Sequence, residues 1–521
     1  MSSIREEITS LIRARYPLVY IVSFEERRVE EELREIAKQL NKKLLVWTIT
    51  GGFLDGASRP DDNTADPIVA LDQVLKTAQS AAVLYVLKDF HPFLDANQSV
   101  PIRKLRDAIS HLQNTNSSLF ILSPVLRIPP ELEKDITVVD YPVPSKAELR
   151  ELLGSFEKDY ARRASIHLDG ATCEAMVGAL LGLTRVEAEN VLSRALISDG
   201  RLDASDLPMI IREKEQIIKK SGILEYQALE ERLEDIGGLD QLKDWLRQTR
   251  STFDEAAGKR GVQTPKGVLL LGVPGCGKSL TAKAVAHAWQ MPLLRFDLGK
   301  VFGMYVGQSE ENIRRAIRMA EAVAPCVLWI DELEKGFAGV GTSGLDSGVT
   351  ARVYGAFITW LQEKKSPVFV VGTANDINSL PPELLRKGRF DEIFFVDLPS
   401  EQERIDIFRK RLNLRCLPEF ESDKMNLPTL AATAKGFTGS DIEAVINEAL
   451  KKAFADGKRD PKESDFLKAI NETLPLSATM RDKIEELRKW ARTRARPASR
   501  VTESVPVPSE EDFGNRRQLE F

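Results

Sequence analysis

Val268-Leu-Leu-Leu-Gly272-Val-Pro-Gly-Cys-Gly-Lys-Ser279 is an apolar run that feeds a glycine-rich turn, and Leu280 to Trp289 then carries helical periodicity. Gly-x-x-x-x-Gly-Lys-Ser between a buried strand and a helix is a phosphate-binding loop in the context it requires. Gly275 and Gly277 let the consecutive N–H groups that follow Pro274, from Gly275 through Cys276 to Leu280, turn toward phosphate, and the helix N-terminus adds a positive dipole end. Lys278 would reach the β- and γ-phosphates and Ser279 would ligate Mg²⁺, so ATP and Mg²⁺ are the expected cofactors.

The next apolar strand, Cys326-Val-Leu-Trp-Ile-Asp331-Glu332, ends in two adjacent carboxylates that strand alternation points in different directions. Asp331 would hold the Mg²⁺ shell, and Glu332 would polarise the water for in-line attack on the γ-phosphate.

Upstream, Ile4–Arg15 reads as a helix, Pro17–Ser23 as a buried strand and Glu25–Leu40 as a helix. Strands at 43–50, 81–87 and 119–122 then alternate with helices at 66–79 and 101–113, the pattern of a parallel sheet covered on both faces. Beyond Ser145 the chain is helical to about Lys220. The second half repeats this plan: Gly182–Leu196 aligns without a gap with Gly436–Leu450, shifted by 254 residues, and Pro129–Leu132 with Pro381–Leu384, shifted by 252. The expected organisation is an α/β domain at 1–145 without a phosphate loop, a helical lid at 146–220, an ATPase α/β domain at 221–400, its lid at 401–490 and a disordered tail at 491–521. The charged linker Arg212–Tyr226 is expected to be exposed.

With these motifs in order across Leu233 to Leu474, the chain resembles the AAA family of ATPases. The resemblance implies a parallel-sheet P-loop module with a helical lid, preceded by a degenerate copy of the same module. In Asp235-Ile-Gly-Gly-Leu-Asp240 it implies adenine contacts by the Ile236 and Gly237 backbone, and in Val368–Asn375 a sensor role for Asn375. Leu384-Leu-Arg386-Lys-Gly-Arg389 resembles the family's second region of homology, whose two arginines are fingers inserted into a neighbour's site. Gly436-Phe-Thr-Gly439-Ser440-Asp441 opens the lid helix, with Ser440 as part of its N-cap on the plainer reading. Phe302-Gly-Met-Tyr305-Val306-Gly307 looks like the pore loop whose aromatic grips substrate polypeptide, although Met304 stands where many relatives have a basic residue. The family further implies a homo-oligomeric ring, a hexamer, acting on an unidentified protein substrate.

Leu333-Glu-Lys-Gly departs from the usual Asp-Glu-Ile-Asp continuation. Together with the long N-terminal half, this variant is similar to the AAA proteins of cyanobacteria and algal plastids known as a hypothetical chloroplast reading frame. That resemblance implies a bacterial cytoplasmic or plastid stromal location and raises a link to photosynthesis or inorganic-carbon use.

In the first copy, Tyr20-Ile-Val-Ser-Phe-Glu-Glu-Arg-Arg28 has no glycine and carries two carboxylates that would repel phosphate. Lys88-Asp89 replaces the acid pair and Ser123-Pro-Val125 the sensor. This module is therefore expected to serve as a scaffold, a ring-assembly surface or a partner-docking domain. Cys276 is either a small filler or a redox-sensitive thiol whose pKa the helix N-terminus and Lys278 would depress.

The 521 residues are 43% hydrophobic and 29% charged with a net charge of −5, which excludes wholesale disorder and gives no global case for nucleic-acid binding. The cluster Arg488–Arg500 leaves nucleic acid open as a partner. No apolar run approaches the ~20 residues that span a bilayer, no signal-peptide core stands at the start, and four scattered cysteines fit neither a disulfide framework nor a zinc site. Two rivals stand beside the remodelling ATPase: a slowly hydrolysing nucleotide-controlled scaffold, and a motor stimulated by nucleic acid.

Overall fold

The computed structural model describes residues 4–500 apart from 55–60, 80, 96, 161–164, 167, 221, 228–230, 254–256, 258, 302–307, 338–346 and 416–424, together with 517–518. The chain divides into two compact units, Met1–Ile211 and Arg212–Phe521.

In the first unit, Leu18–Val22 is buried at every position because both faces of its sheet are covered. Leu18, Tyr20 and Val22 face a cluster with Leu71, Val74, Leu105 and Ile109, whereas Val19 and Ile21 face Ile8, Val29, Leu33 and Ile36. The period-two alternation of a strand thus divides one apolar run between two helical layers. The spatial order is Gly52–Leu54, Lys43–Thr48, Val83–Lys88, Ser118–Ser123, Leu18–Val22, Thr137–Asp140, parallel except for the pairing of 43–48 with 52–54.

The second unit builds its sheet in the order Arg496–Pro497, Glu392–Val396, Gly267–Gly272, Val368–Ala374, Cys326–Ile330, Leu293–Phe296, Leu224–Gln227. Only Leu224–Gln227 is antiparallel. With the short edge strands Gly52–Leu54 and Arg496–Pro497 set aside, the five strands from Leu18 or from Gly267 onward lie in the same spatial order in both units when ranked by sequence: fifth, first, fourth, third, second. Each unit is therefore an AAA-type α/β module with its own lid. The lid helices are Lys146–Tyr160, Gly170–Leu180 and Arg185–Asp199 in the first, and Glu401–Arg415, Leu427–Thr433, Gly439–Ala455 and Glu463–Glu472 in the second. The aligned repeat is structural down to its caps: Thr184 with Glu187, and Thr438 with Asp441, form capping boxes at corresponding helix starts. Pro130–Leu132 and Pro382–Leu385 are both 3₁₀ turns with a buried leucine.

Two expectations need correction. The stretch Arg212–Tyr226 is not an exposed linker: the helix Leu207–Lys220 buries Lys214 and Ile218, and Ile223 and Leu224 enter the core as the latter's strand covers a sheet edge. Its charges mask a sparse apolar face. Residues 491–500 are ordered, since the helix Arg481–Arg494 leads into Arg496–Pro497, which pairs with Phe394 and Phe395. Ala498 there is buried, and the basic composition of the segment conceals these contacts. The strands Gly52–Leu54 and Thr137–Asp140 are too short for their periodicity to be read. Among the described residues, no helix is long and apolar enough to cross a membrane.

Candidate nucleotide site

The strand Gly267–Gly272, buried throughout, delivers the glycine-rich turn to the rim of the sheet. Gly275 (φ +75°) and Gly277 (φ +91°) lie in the left-handed region, and a Cβ on Gly275 would come within 2.9 Å of Thr438 Oγ1 and 3.0 Å of Ser440 Oγ. Glycine is thus required both by the turn and by the close approach of the lid. Lys278 is buried and its ammonium donates to the carbonyls of Gly272 (2.9 Å) and Val273 (2.8 Å). Burial pulls its pKa down to about 8 against the attraction of the nearby carboxylates. Ser279 Oγ donates to Asp331 Oδ1 at 2.9 Å, so the two residues read as metal ligands meet.

The acid pair follows the strand Cys326–Ile330. Glu332 takes a left-handed conformation (φ +51°), and its carboxylate pairs with Lys335 at 2.8 Å. Its N–H donates to Thr373 Oγ1 at 3.0 Å, and the Thr373 hydroxyl donates to Asp331 Oδ1 at 2.5 Å. Asn375, one residue beyond Val368–Ala374, lines the same cleft, and its N–H donates to Glu334 Oε1 at 3.0 Å.

This cleft has a volume of about 360 Å³. The lid closes one side, where Ser440 N donates to Gly275 O at 3.1 Å and the Ser440 hydroxyl points at the same carbonyl. The cap of that helix is Thr438, so Ser440 is not the N-cap residue; its side chain faces the phosphate loop. Ile236, Gly237 and Leu239 form another wall. The Ile236 carbonyl accepts from Lys243 (2.6 Å) and from Lys410 of the lid (2.9 Å), and a Cβ on Gly237 would lie 2.5 Å from Ile407.

Pro274, Gly275, Cys276, Gly277, Lys278, Ser279, Leu280, Asp331, Glu332, Asn375, Ile236, Gly237, Gly439 and Ser440 all line this one cleft. Sequence reading missed Thr373, Asp397, Glu403, Arg411, Glu443 and Ser499, which also line it. Thr373 and Asp397 stand at or just beyond strand ends of the same sheet, Glu403, Arg411 and Glu443 come from the lid, and Ser499 comes from the segment taken as a tail. For the lid residues the repeat itself carried a signal: Ser145 with Glu148 matches Ser400 with Glu403, each glutamate accepting the serine N–H at 2.8 Å.

Other residues fall elsewhere. Arg386 is exposed and Arg389 partly buried with its Nε unpartnered among the described residues; neither lines the cleft of its own chain. Tyr305 and Val306 lie outside the described residues. Cys276 is half-buried at the rim of the cleft, and desolvation pushes its thiol up to about 12 despite Lys278, the opposite direction from an activated thiol.

In the first unit Arg28 follows its strand as Lys278 follows Gly272, six residues on, but its guanidinium donates to Pro142 O (2.7 Å) and Glu148. Glu25, at the position of Gly275, accepts the N–H of Arg185 at the start of the lid helix (2.8 Å). An internal ion network thus occupies the place of the phosphate loop, and Arg28, Glu148 and Arg185 of that network line the adjacent cleft together with Glu31, Glu32, Glu35 and Glu151.

A parallel sheet in this strand order, a phosphate loop, an acid-ended strand and a helical lid define an AAA module. Comparison with known proteins agrees: residues 268–398 match the ATPase family associated with various cellular activities (AAA) and 424–468 the AAA+ lid domain. Residues 4–141 and 147–221 match the N-terminal and second domains of SpoVK-like AAA ATPases. The chain is 39% identical over 485 residues to an "Uncharacterized AAA domain-containing protein ycf46" of Guillardia theta, covering 92% of this chain and 93% of that protein. A protein of the same name from Pyropia yezoensis is 38% identical over 496 residues (95% and 99%), and the Cell division cycle protein 48 homolog of Archaeoglobus fulgidus 30% over 348 (63% and 46%). The chain belongs to the AAA family, within the group of AAA domain-containing proteins called ycf46.

Proposed function

We propose that the second unit hydrolyses ATP with Mg²⁺ and that the first is a scaffold without nucleotide chemistry. The observation that carries this reading is the convergence on one cleft of a buried lysine, the Ser279–Asp331 pair, Glu332 and Asn375. The residues fit the cofactors: the left-handed glycines leave a cradle that a Cβ would fill, and a serine hydroxyl beside a carboxylate is a hard-oxygen donor set suited to Mg²⁺. Bound Mg²⁺ would neutralise phosphate charge.

Of this chain's own groups, the loop N–H groups and Lys278 would bind the phosphates. Ser279 and Asp331 would hold the metal, Glu332 would accept the proton of the attacking water, and Asn375 would orient that water. Ile236, Gly237, Gly439 and Ser440 would wall the base and phosphate ends. Arg386 and Arg389 would act in a neighbour's cleft, which makes a homo-oligomeric ring, a hexamer by family, part of the mechanism. Such fingers are worth ~10³–10⁵ in rate in related hydrolases. The work done would be remodelling of a protein partner gripped by Tyr305 and Val306, in the cytoplasm of a bacterium or in the plastid stroma, with photosynthesis or inorganic-carbon use as the process served.

Glu332→Gln is the test: it should bind ATP as the parent does and fail to turn it over, and equal turnover would overthrow the assignment. Turnover per subunit that rises steeply with protein concentration would support sites completed between subunits.

The slowly hydrolysing switch is favoured by one observation, the ion pair of Glu332 with Lys335, which engages the carboxylate needed as base. The nucleic-acid motor loses support, because Arg488 is bidentate to Asp397, Arg500 pairs with Asp244, and Arg494 and Arg496 lie over Trp490 and Phe394.

A further inference from the structure

We propose that Thr373 and Glu334 are positioning residues that hold the carboxylate loop and the sensor strand end in register; this rests on the reading of Glu332 as the group that polarises water. The left-handed conformation of Glu332 is one that a side chain with a Cβ adopts only when its surroundings over-determine it. Two side-chain ties meet at this bend and fix what stands on either side of it.

In the first, the Glu332 N–H donates to Thr373 Oγ1, and the single proton of that hydroxyl is committed to Asp331 Oδ1, which also receives the Ser279 hydroxyl. One threonine thereby fixes the main chain of the proposed base relative to the proposed metal ligand. Thr373 is 1% exposed, which shields its hydroxyl from bulk water although Asp331 and Glu332 are half-buried at the cleft.

In the second tie, Glu334 Oε1 accepts the Asn375 N–H, while Glu334 Oε2 is buried with no hydrogen-bond partner among the described residues. A buried carboxyl with one oxygen unsatisfied costs free energy that a simple packing residue would not. What it gains is a fixed distance between the segment bearing Glu332 and the segment bearing Asn375. The two segments are in close packing, since a Cβ on Gly372 would lie 2.5 Å from Leu333 Cδ1.

The first unit separates these ties from mere scaffolding. Asp89, at the end of the corresponding strand, has the same left-handed bend (φ +51°), but its N–H goes to the Leu122 carbonyl at 2.9 Å. The neighbouring Ser123 hydroxyl is engaged with His91 Nδ1 at 2.8 Å. The bend therefore belongs to the fold, and the side-chain ties occur where the acid pair and the asparagine stand.

The test is steady-state ATP turnover and nucleotide binding of full-length Thr373→Val, Thr373→Ser, Glu334→Ala and Glu334→Gln beside Glu332→Gln. Thr373→Val should lower kcat about tenfold or more with KM shifted less than about threefold, because it disturbs geometry needed in the transition state and not phosphate binding. Thr373→Ser keeps the hydroxyl and should recover to within about twofold of the parent. Glu334→Ala should lose about fivefold or more in kcat, and Glu334→Gln, which keeps the acceptor, should regain most of it. Parental turnover in Thr373→Val, a KM that worsens in step with kcat, or a serine variant as impaired as the valine variant would overturn the proposal. If Thr373→Val fails to fold, the Glu334 pair decides on the same criteria. Parental turnover in Glu332→Gln would instead sink the underlying assignment of the base.

Discussion

The two units of this chain share a strand order and a pair of capping boxes but spend their polar residues in opposite ways. Where the second unit has Gly275 and Lys278 lining a cleft open to ligand, the first has Glu25 and Arg28 turned inward on Arg185, Pro142 and Glu148. Apolar strands that build a sheet tolerate the loss of a ligand site, because burial on both faces holds them whatever stands at their ends. The rim of the sheet cannot stay neutral in the same way: polar groups placed there need phosphate, metal or each other. In the first unit they have each other, with burial raising the Glu25 carboxyl while the Arg185 N–H and Arg28 draw it down.

The sharpest way to break this comparison is Lys278→Ala. We expect it to abolish ATP binding by the full-length protein and to reduce turnover by about 10³-fold or more. Residual stoichiometric binding, measured by calorimetry, would mean that the first unit also holds nucleotide. Next in size, Arg389→Ala should keep binding and lose about 10³-fold in turnover. Mixed with Glu332→Gln subunits it should regain part of that activity, since each chain supplies what the other lacks, whereas additive inactivity would place Arg389 outside a neighbour's site.

Arg28→Ala addresses the other half of the comparison. Arg28 and Glu25 are 9% and 2% exposed and 3.8 Å apart, so truncating the arginine leaves a buried carboxylate without its cation. We expect a loss of about 3 kcal/mol in the stability of the first unit, read from denaturant unfolding, with nucleotide affinity of the second unit unchanged. A shift in that affinity would show that the ion network reports to the active half. The smallest effect is expected at Cys276→Ala: the half-buried thiol is pushed up by desolvation and offers phosphate only its backbone N–H, so turnover should stay within about twofold and sensitivity to mild oxidants should not depend on it.

The local parts of this molecule were readable before any coordinates. The phosphate loop, the acid-ended strand and the run of buried strands each depend on neighbours within a few residues, and Lys278, Ser279, Asp331 and Glu332, read from those motifs, line one cleft together with Asn375, which only the family resemblance had singled out. The segment Arg488–Ser499 was misread for the same reason: its basic composition resembles a solvated tail, and nothing local discloses that Asp397, Phe395 and Glu403 lie waiting for it.

The amino-acid sequence by itself determined that this chain holds two related α/β modules, one with a phosphate loop and one without, because strand and helix periods and glycine spacing are short-range properties. Only the tertiary structure decided which distant groups meet. The Thr373 hydroxyl reaches the acid pair because its strand lies between those ending at Gly272 and Ile330. Ser499 reaches the cleft because a short strand adds to the sheet edge beside Phe394. Glu25 is satisfied because a lid helix begins beside it. Each of these contacts depends on strand order and lid packing, which the whole buried core sets together and no single window of sequence contains.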